Sequence, residues 1–220
     1  GRIRRRNGIY EQLNSTWILM EKSMNKLART ASALTLMALG ATANADLSDV
    51  PSGKYSLDLH HAYISFSYSH MGFSTPNLGF REFDATLNLD SDNLANSSID
   101  VVIDAASIDS MKDDFNGHLN GADFFDTANF PQATFKSTKI ESTGADTFNV
   151  MGNLTIKDVT KPVTLAATIN KAAMHPMQKV PTVGFSAETT IMRSEFGLGK
   201  YVPNVGDEVT IHITVEMMQK

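Results

Sequence analysis

The residues of this 220-residue chain that could do chemistry are six histidines (His60, His61, His70, His118, His175 and His212) and a few charged side chains, notably Asp58, Asp109, Arg193 and Glu195. Imidazoles invite metal or acid–base chemistry. None of the six stands in an H-E-x-x-H motif or an i, i+4 helical pair, and the chain has no cysteine. His60 and His61, as neighbours on a strand, point to opposite sides and cannot both ligate one inward ion. No metal and no cofactor is expected. A G-x-S-x-G elbow, a P-loop and a dinucleotide glycine fingerprint are also missing, and Gly197-Leu198-Gly199 falls between strands rather than between strand and helix. A Ser/His/Asp site is set by geometry, but nothing in the pattern asks for one, and the chain reads as a non-enzyme. His61 and His70 read as hydrogen-bonding histidines near the two ends of one strand. The four charged residues read as closers of turns or members of an ion pair.

Eight alternating segments would position these groups. The first, Tyr55–His70, carries Ile64, Phe66, Tyr68 and His70 on even positions against Ser65, Ser67 and Ser69, a period of two with one buried face. Upstream the parity reverses to Tyr55, Leu57 and Leu59, which predicts a bulge or bend near Asp58–Ala62. The others run over Phe83–Leu89, Ser98–Ile103, Ala133–Glu141, Thr147–Ile156, Val163–Ile169, Val183–Ile191 and Val209–Val215. One-sided alternation and mostly short connections predict an antiparallel all-β fold rather than a helix-covered parallel sheet. Eight such strands invite closure into an up-and-down barrel, with a two-sheet sandwich as the alternative. The connection from Ile103 to Ala133 is too long to be a plain turn. It predicts a short helix over Lys112–Leu119, and its Phe115, Leu119, Phe124, Phe125 and Phe130 predict a plug packed on one end of the barrel.

Inward candidates follow from parity. They are Ile64, Phe66 and Tyr68 of the first segment, Phe83 and Leu87 of the second, and Phe135 of the fourth. Val150, Leu154 and Ile156 of the fifth join them, with Phe185 and Ile191 of the seventh. Parity alone leaves two readings open, a packed core or a lined tunnel.

Residues 24–45 have a short basic head (Met24–Arg29), a 13-residue small and apolar run (Thr30–Thr42) and the small-x-small end Ala43-Asn44-Ala45. That is the pattern of a cleaved signal peptide, and the run falls short of the roughly 20 residues of a bilayer span. Cleavage after Ala45 and a periplasmic location are expected. Residues 1–23 form an upstream extension, not native or following a misassigned start, and residues 46–220 the domain. That domain holds 12 basic and 22 acidic residues, a net charge of −10. The balance excludes nucleic acid and anionic membrane surfaces as main partners, and no stable membrane insertion is expected.

Several motifs, taken in order, resemble one family. They are Asp58-x-x-His61, Ile64-x-Phe66-x-Tyr68-x-His70, Gly79-Phe80-x-x-Phe83, Ser107-Ile108-Asp109, His118-Leu119, Asp123-Phe124-Phe125 and Phe130-Pro131-x-Ala133-x-Phe135. Gly152-Asn153-Leu154-Thr155-Ile156 followed by Val159-Thr160-Lys161-Pro162-Val163 is the most specific block, and Arg193–Gly197 and Gly206-Asp207-x-Val209 complete the order. The pattern is similar to the YceI-like family of bacterial polyisoprenoid-binding periplasmic proteins, over nearly all of residues 53–217. It departs at Ala62, where serine is usual, and at Asn116, where an acidic residue is usual. The resemblance implies an extended, lipocalin-like eight-stranded barrel holding an apolar isoprenoid lipid such as a quinone tail in its lumen, and it makes a homodimer plausible. A carrier or sequestering protein for that lipid is the expected function. An enzyme acting on such a lipid, or a stress or interaction protein with a filled core, are the alternatives. A tail of about forty carbons would gain on the order of 10 kcal/mol from burial before ordering costs.

Overall fold

The computed structural model of the chain describes residues 46–219. The expected signal peptide, its cleavage site and the upstream extension lie outside the described residues. Ten strands form one sheet: β1 (Gly53–His70), β2 (Asn77–Phe80), β3 (Phe83–Leu89), β4 (Ser98–Asp104), β5 (Ile108–Asp109), β6 (Gln132–Ser142), β7 (Thr147–Ile156), β8 (Val159–Met174), β9 (Pro181–Met192) and β10 (Val205–Met218). Eight of them pair in the ring β1-β3-β4-β6-β7-β8-β9-β10, and β10 returns to β1, so the all-β antiparallel barrel closes. Closure leaves these long strands without an unpaired edge. The sandwich alternative is thereby excluded.

The two extra strands are continuations. The lower part of β1 pairs with β3 (Tyr55 with Leu87) and its upper part with β2 (Ile64 with Phe80). The third segment likewise resumes after a 3-10 turn at Ala105–Ser107 as β5, which pairs with β2. Together β2 and β5 make a short two-stranded flap that carries the wall on beside the upper part of β1. A helix, α1 (Asp113–Asn120), hangs from it, one residue off the sequence expectation at each end. Asp113 and Asp114 in its first turn face the positive end of the helix dipole.

The parity reversal in β1 has its physical cause here. Leu57 pairs with Met217 and Ala62 with Val215, so Asp58–His61 bulge against the single residue Glu216. The bulge is closed by its own side chains. Asp58 accepts the His60 amide at 3.1 Å, and its carboxylate lies 2.8 Å from His61 Nδ1. The hydrogen bond with His61 holds Asp58 below its ordinary 3.8 and, from the other side, raises His61 above 6.5. The Asp58 contribution to stability is present above pH 3.8 and lost as pH falls through its lowered value. The His61 contribution is present below pH 6.5 and lost as pH rises through its raised value. The urea midpoint of the native chain is expected to fall on the alkaline side of that window, and in His61→Gln, which keeps a donor without the titration, this decline should flatten.

Gly152 marks a close approach of strands. A Cβ there would clash with the Phe135 ring and come within 2.6 Å of the Lys136 carbonyl oxygen. Gly152→Ala is expected to cost about 2–3 kcal/mol by forcing β6 from β7, read as a lower urea midpoint with unchanged slope.

Candidate ligand-binding cavity

The barrel is solid at one end and hollow toward the other. At the solid end Tyr55, Val183 and Met217 are completely buried, with Leu47 and Val50 from the segment before β1 packed among them. The Tyr55 hydroxyl donates to the Pro51 carbonyl at 2.7 Å, which satisfies its polar end. Above this core lies a cavity of about 300 Å³, at the lower end of the range of small-molecule sites.

Alternating positions of β1, β4, β6 to β10 and the plug build its wall, and nearly all of it is apolar. Of the inward candidates, Ile64, Phe66, Tyr68, Phe135, Leu154, Ile156 and Ile191 line the cavity. Phe83, Leu87, Val150 and Phe185 do not. They point inward as their parity requires, but Phe83 and Leu87 belong to the solid core and Val150 and Phe185 pack against it. Alternation fixes which side a residue faces, whereas its height along the barrel depends on strand tilt and stagger. The pairing register, not the alternation, sets that height.

Other lining residues had a signal that parity could have used. Val163 and Leu165 of β8 and Ile211 and Ile213 of β10 alternate as cleanly as those chosen. Phe80 of the flap and Leu198 of the β9–β10 loop had none, because neither lies in a long periodic run.

The plug closes much of the open end. Phe115, Leu119, Phe124 and Phe125 face the cavity, as their apolar character predicted. Phe130 does not; its ring sits beneath the Lys157 ammonium at 5.9 Å. The Phe80 and Phe125 rings meet edge to face at 5.8 Å, joining flap to plug. Asn116, despite departing from the family pattern, accepts from the Ser110 amide at 2.7 Å and the Ser110 hydroxyl at 2.6 Å, bracing α1 on the flap. An ion pair between Lys200 and Asp123 ties the plug to the β9–β10 loop.

Only three lining residues are exposed, His70, His118 and Tyr201, and they mark the mouth. His118 lies against Phe124 at 5.0 Å, and Phe124 against Tyr201 at 6.3 Å. Among the described residues no protein group hydrogen-bonds the Tyr68 hydroxyl or the His70 and His118 rings. Burial pushes the Tyr68 phenol above its ordinary value, partly offset by the charge of Arg193. Tyr68 is therefore a neutral O–H donor facing an apolar space.

Arg193, also on the wall, has four of its five N–H donors committed. Nε donates to the Gly206 carbonyl at 2.8 Å, Nη2 to Val205 at 2.9 Å, and Nη1 to Lys200 at 3.0 Å and to Leu198. It serves the loop as a clasp rather than entering an ion pair. Asp109 holds Arg81 at 2.8 Å, and Glu195 stands 3.8 Å from Lys161, both at the surface. No lining histidine is hydrogen-bonded to a hydroxyl or carboxylate among the described residues, so the wall assembles no nucleophile–base pair of the triad type.

The geometry has counterparts among known proteins. The family model for the YceI-like domain matches residues 55–217. Protein YceI of Escherichia coli is 36% identical over 160 residues, which cover 73% of this chain and 83% of that protein. The crystal structure of Burkholderia cenocepacia BcnA superposes with a TM-score of 0.67 at 30% identity, covering 73% of this chain and 98% of that one. A polyisoprenoid binding domain from Saccharophagus degradans, implicated in plant cell wall breakdown, shares the fold with a TM-score of 0.59 at 14% identity, over 76% of this chain and 98% of its own.

Proposed function

The chain belongs to the YceI-like family, and on that premise we propose that it is a periplasmic carrier or sequestering protein for an isoprenoid lipid with a neutral, quinone-like head. The observation that carries this reading is the cavity itself, apolar on nearly every side and open at one end. A branched hydrocarbon tail asks for such a wall and for few hydrogen bonds. The polyisoprenoid-binding neighbour of the same fold supports that ligand class.

The mouth favours the head group. Tyr68, His70 and His118 offer hydrogen bonds that a ring carbonyl can accept. A diphosphate head would need cationic donors, and the guanidinium of Arg193 is already engaged by four carbonyls. Export through a signal peptide ending at Ala45 belongs to the proposal, because a water-insoluble lipid between two membranes gives such a carrier its use.

Native mass spectrometry of the protein recovered from the periplasm, paired with solvent extraction, tests it. The expected result is a polypeptide beginning at Asp46 with one apolar molecule bound, whose fragmentation identifies head and tail. A homogeneous ligand-free mass, unchanged after addition of an isoprenoid quinone, overturns the reading.

A further inference from the structure

Four large apolar side chains stand in water around the cavity mouth. Phe73 is 89% exposed, Met111 74%, Met71 54% and Tyr201 53%. Their positions are tied together by the fold. His70, at the mouth, pairs with Val205, and the Met71 amide donates to the Asn204 carbonyl at 3.1 Å, so the β1–β2 turn and the β9–β10 loop meet at this end. Phe73 sits in that turn, fixed by its amide to the His70 carbonyl at 3.0 Å. Met111 follows β5, which runs antiparallel to β2 toward the same end. Met71, Gly72, Met111 and Tyr201 all have positive φ, so these are tight turns that hold the side chains out.

We propose that this rim is a docking surface for a neutral, zwitterionic phospholipid bilayer, through which the barrel loads and unloads its lipid; the inference rests on the carrier reading above. The occupant follows from continuity and charge. The rim is the outer edge of an apolar cavity, so seating it at the membrane interface joins the cavity to the hydrocarbon with little water between. A long tail can then pass without exposing its length, which is where the barrier to transfer lies. A net charge of −10 over residues 46–220 disfavours an anionic surface and leaves a zwitterionic one. Phenylalanine and tyrosine at an opening suit the interfacial region, where an apolar body meets a wet boundary. Four side chains, with no helix among the described residues long and apolar enough to cross a membrane, fit transient contact rather than stable insertion.

The test uses phosphatidylcholine vesicles loaded with a long-chain isoprenoid quinone, and a short-chain, water-soluble quinone as a separate probe. Transfer is followed as quinone absorbance in the protein fraction after the vesicles are removed. The rim variant is Met71→Asn with Phe73→Ser, neither of which lines the cavity; asparagine tolerates the positive φ at position 71. Met177→Ser is the control, a methionine even more exposed than Met71, on the β8–β9 hairpin at the solid end. The rim variant is expected to extract quinone about tenfold more slowly, in line with the loss of one inserted aromatic side chain, while short-chain affinity is unchanged and the control behaves as the parent. Equal extraction rates for rim variant and parent overturn the docking and leave the carrier reading standing, as does a rim variant whose only defect is lost self-association in sedimentation. Failure of the parent to bind the short-chain quinone overturns both.

Discussion

Leu154→Trp is expected to empty the barrel. If the proposed carrier reading holds, the variant should fold, be recovered without bound lipid, and bind added isoprenoid quinone at least about a hundredfold more weakly, roughly 2.7 kcal/mol. Leu154 is buried on the wall beside Phe135 and Ile156, facing the cavity rather than the solid core. An indole there has free space to enter, and the space it takes is the one the proposed ligand would fill. The same change at a filled position would overpack and destabilise, so retained stability is part of the prediction. The only tryptophan of the sequence is Trp17. In protein produced from Asp46 onward the introduced indole is the sole one, and its blue-shifted emission reports that it fills the lumen. Lipid binding that persists with the indole buried would show that the cavity is not the site.

Arg193→Met is expected to have the largest effect on stability. It leaves the carbonyls of Leu198, Lys200, Val205 and Gly206 without their donor. Each unmet buried acceptor costs about 1–3 kcal/mol, and with water reaching some of them the sum is on the order of 4 kcal/mol. Urea unfolding followed by far-UV circular dichroism should show a lower midpoint. Arg193→Lys should recover little, since one ammonium cannot span four carbonyls that a planar fork reaches together. Quinone affinity should fall as well, because the loop carries Leu198 and Tyr201 on the cavity wall. An unchanged midpoint would show that solvent or other groups satisfy these carbonyls.

These two residues also show what a sequence makes legible. Leu154 could be read inward because β7 alternates without a break. Arg193 invited a simpler role, a turn closer or ion-pair member, since nothing linear tells that carbonyls five to thirteen residues on will converge on it. The bulge at Asp58–His61 lies between. Its place was visible in the parity reversal, its side-chain closure was not.

The sequence by itself determined the strand count of the ring, the inward face of each strand, the site of the β1 bulge and the existence of an apolar plug. All of these are local, since a period of two and a run of phenylalanines act through neighbours a few residues apart. The tertiary structure alone decided where the barrel is solid and where it is hollow. Phe83, Leu87, Val150 and Phe185 fill it while Phe66, Leu154 and Ile191 bound a space, although all seven obey the same alternation. The difference is height on a tilted, staggered cylinder, fixed by which residue pairs with which across strands far apart in the chain. The mouth is decided in the same way. His70, His118 and Tyr201 meet there only because closure of β10 on β1 and the fold of the plug bring three distant segments to one end.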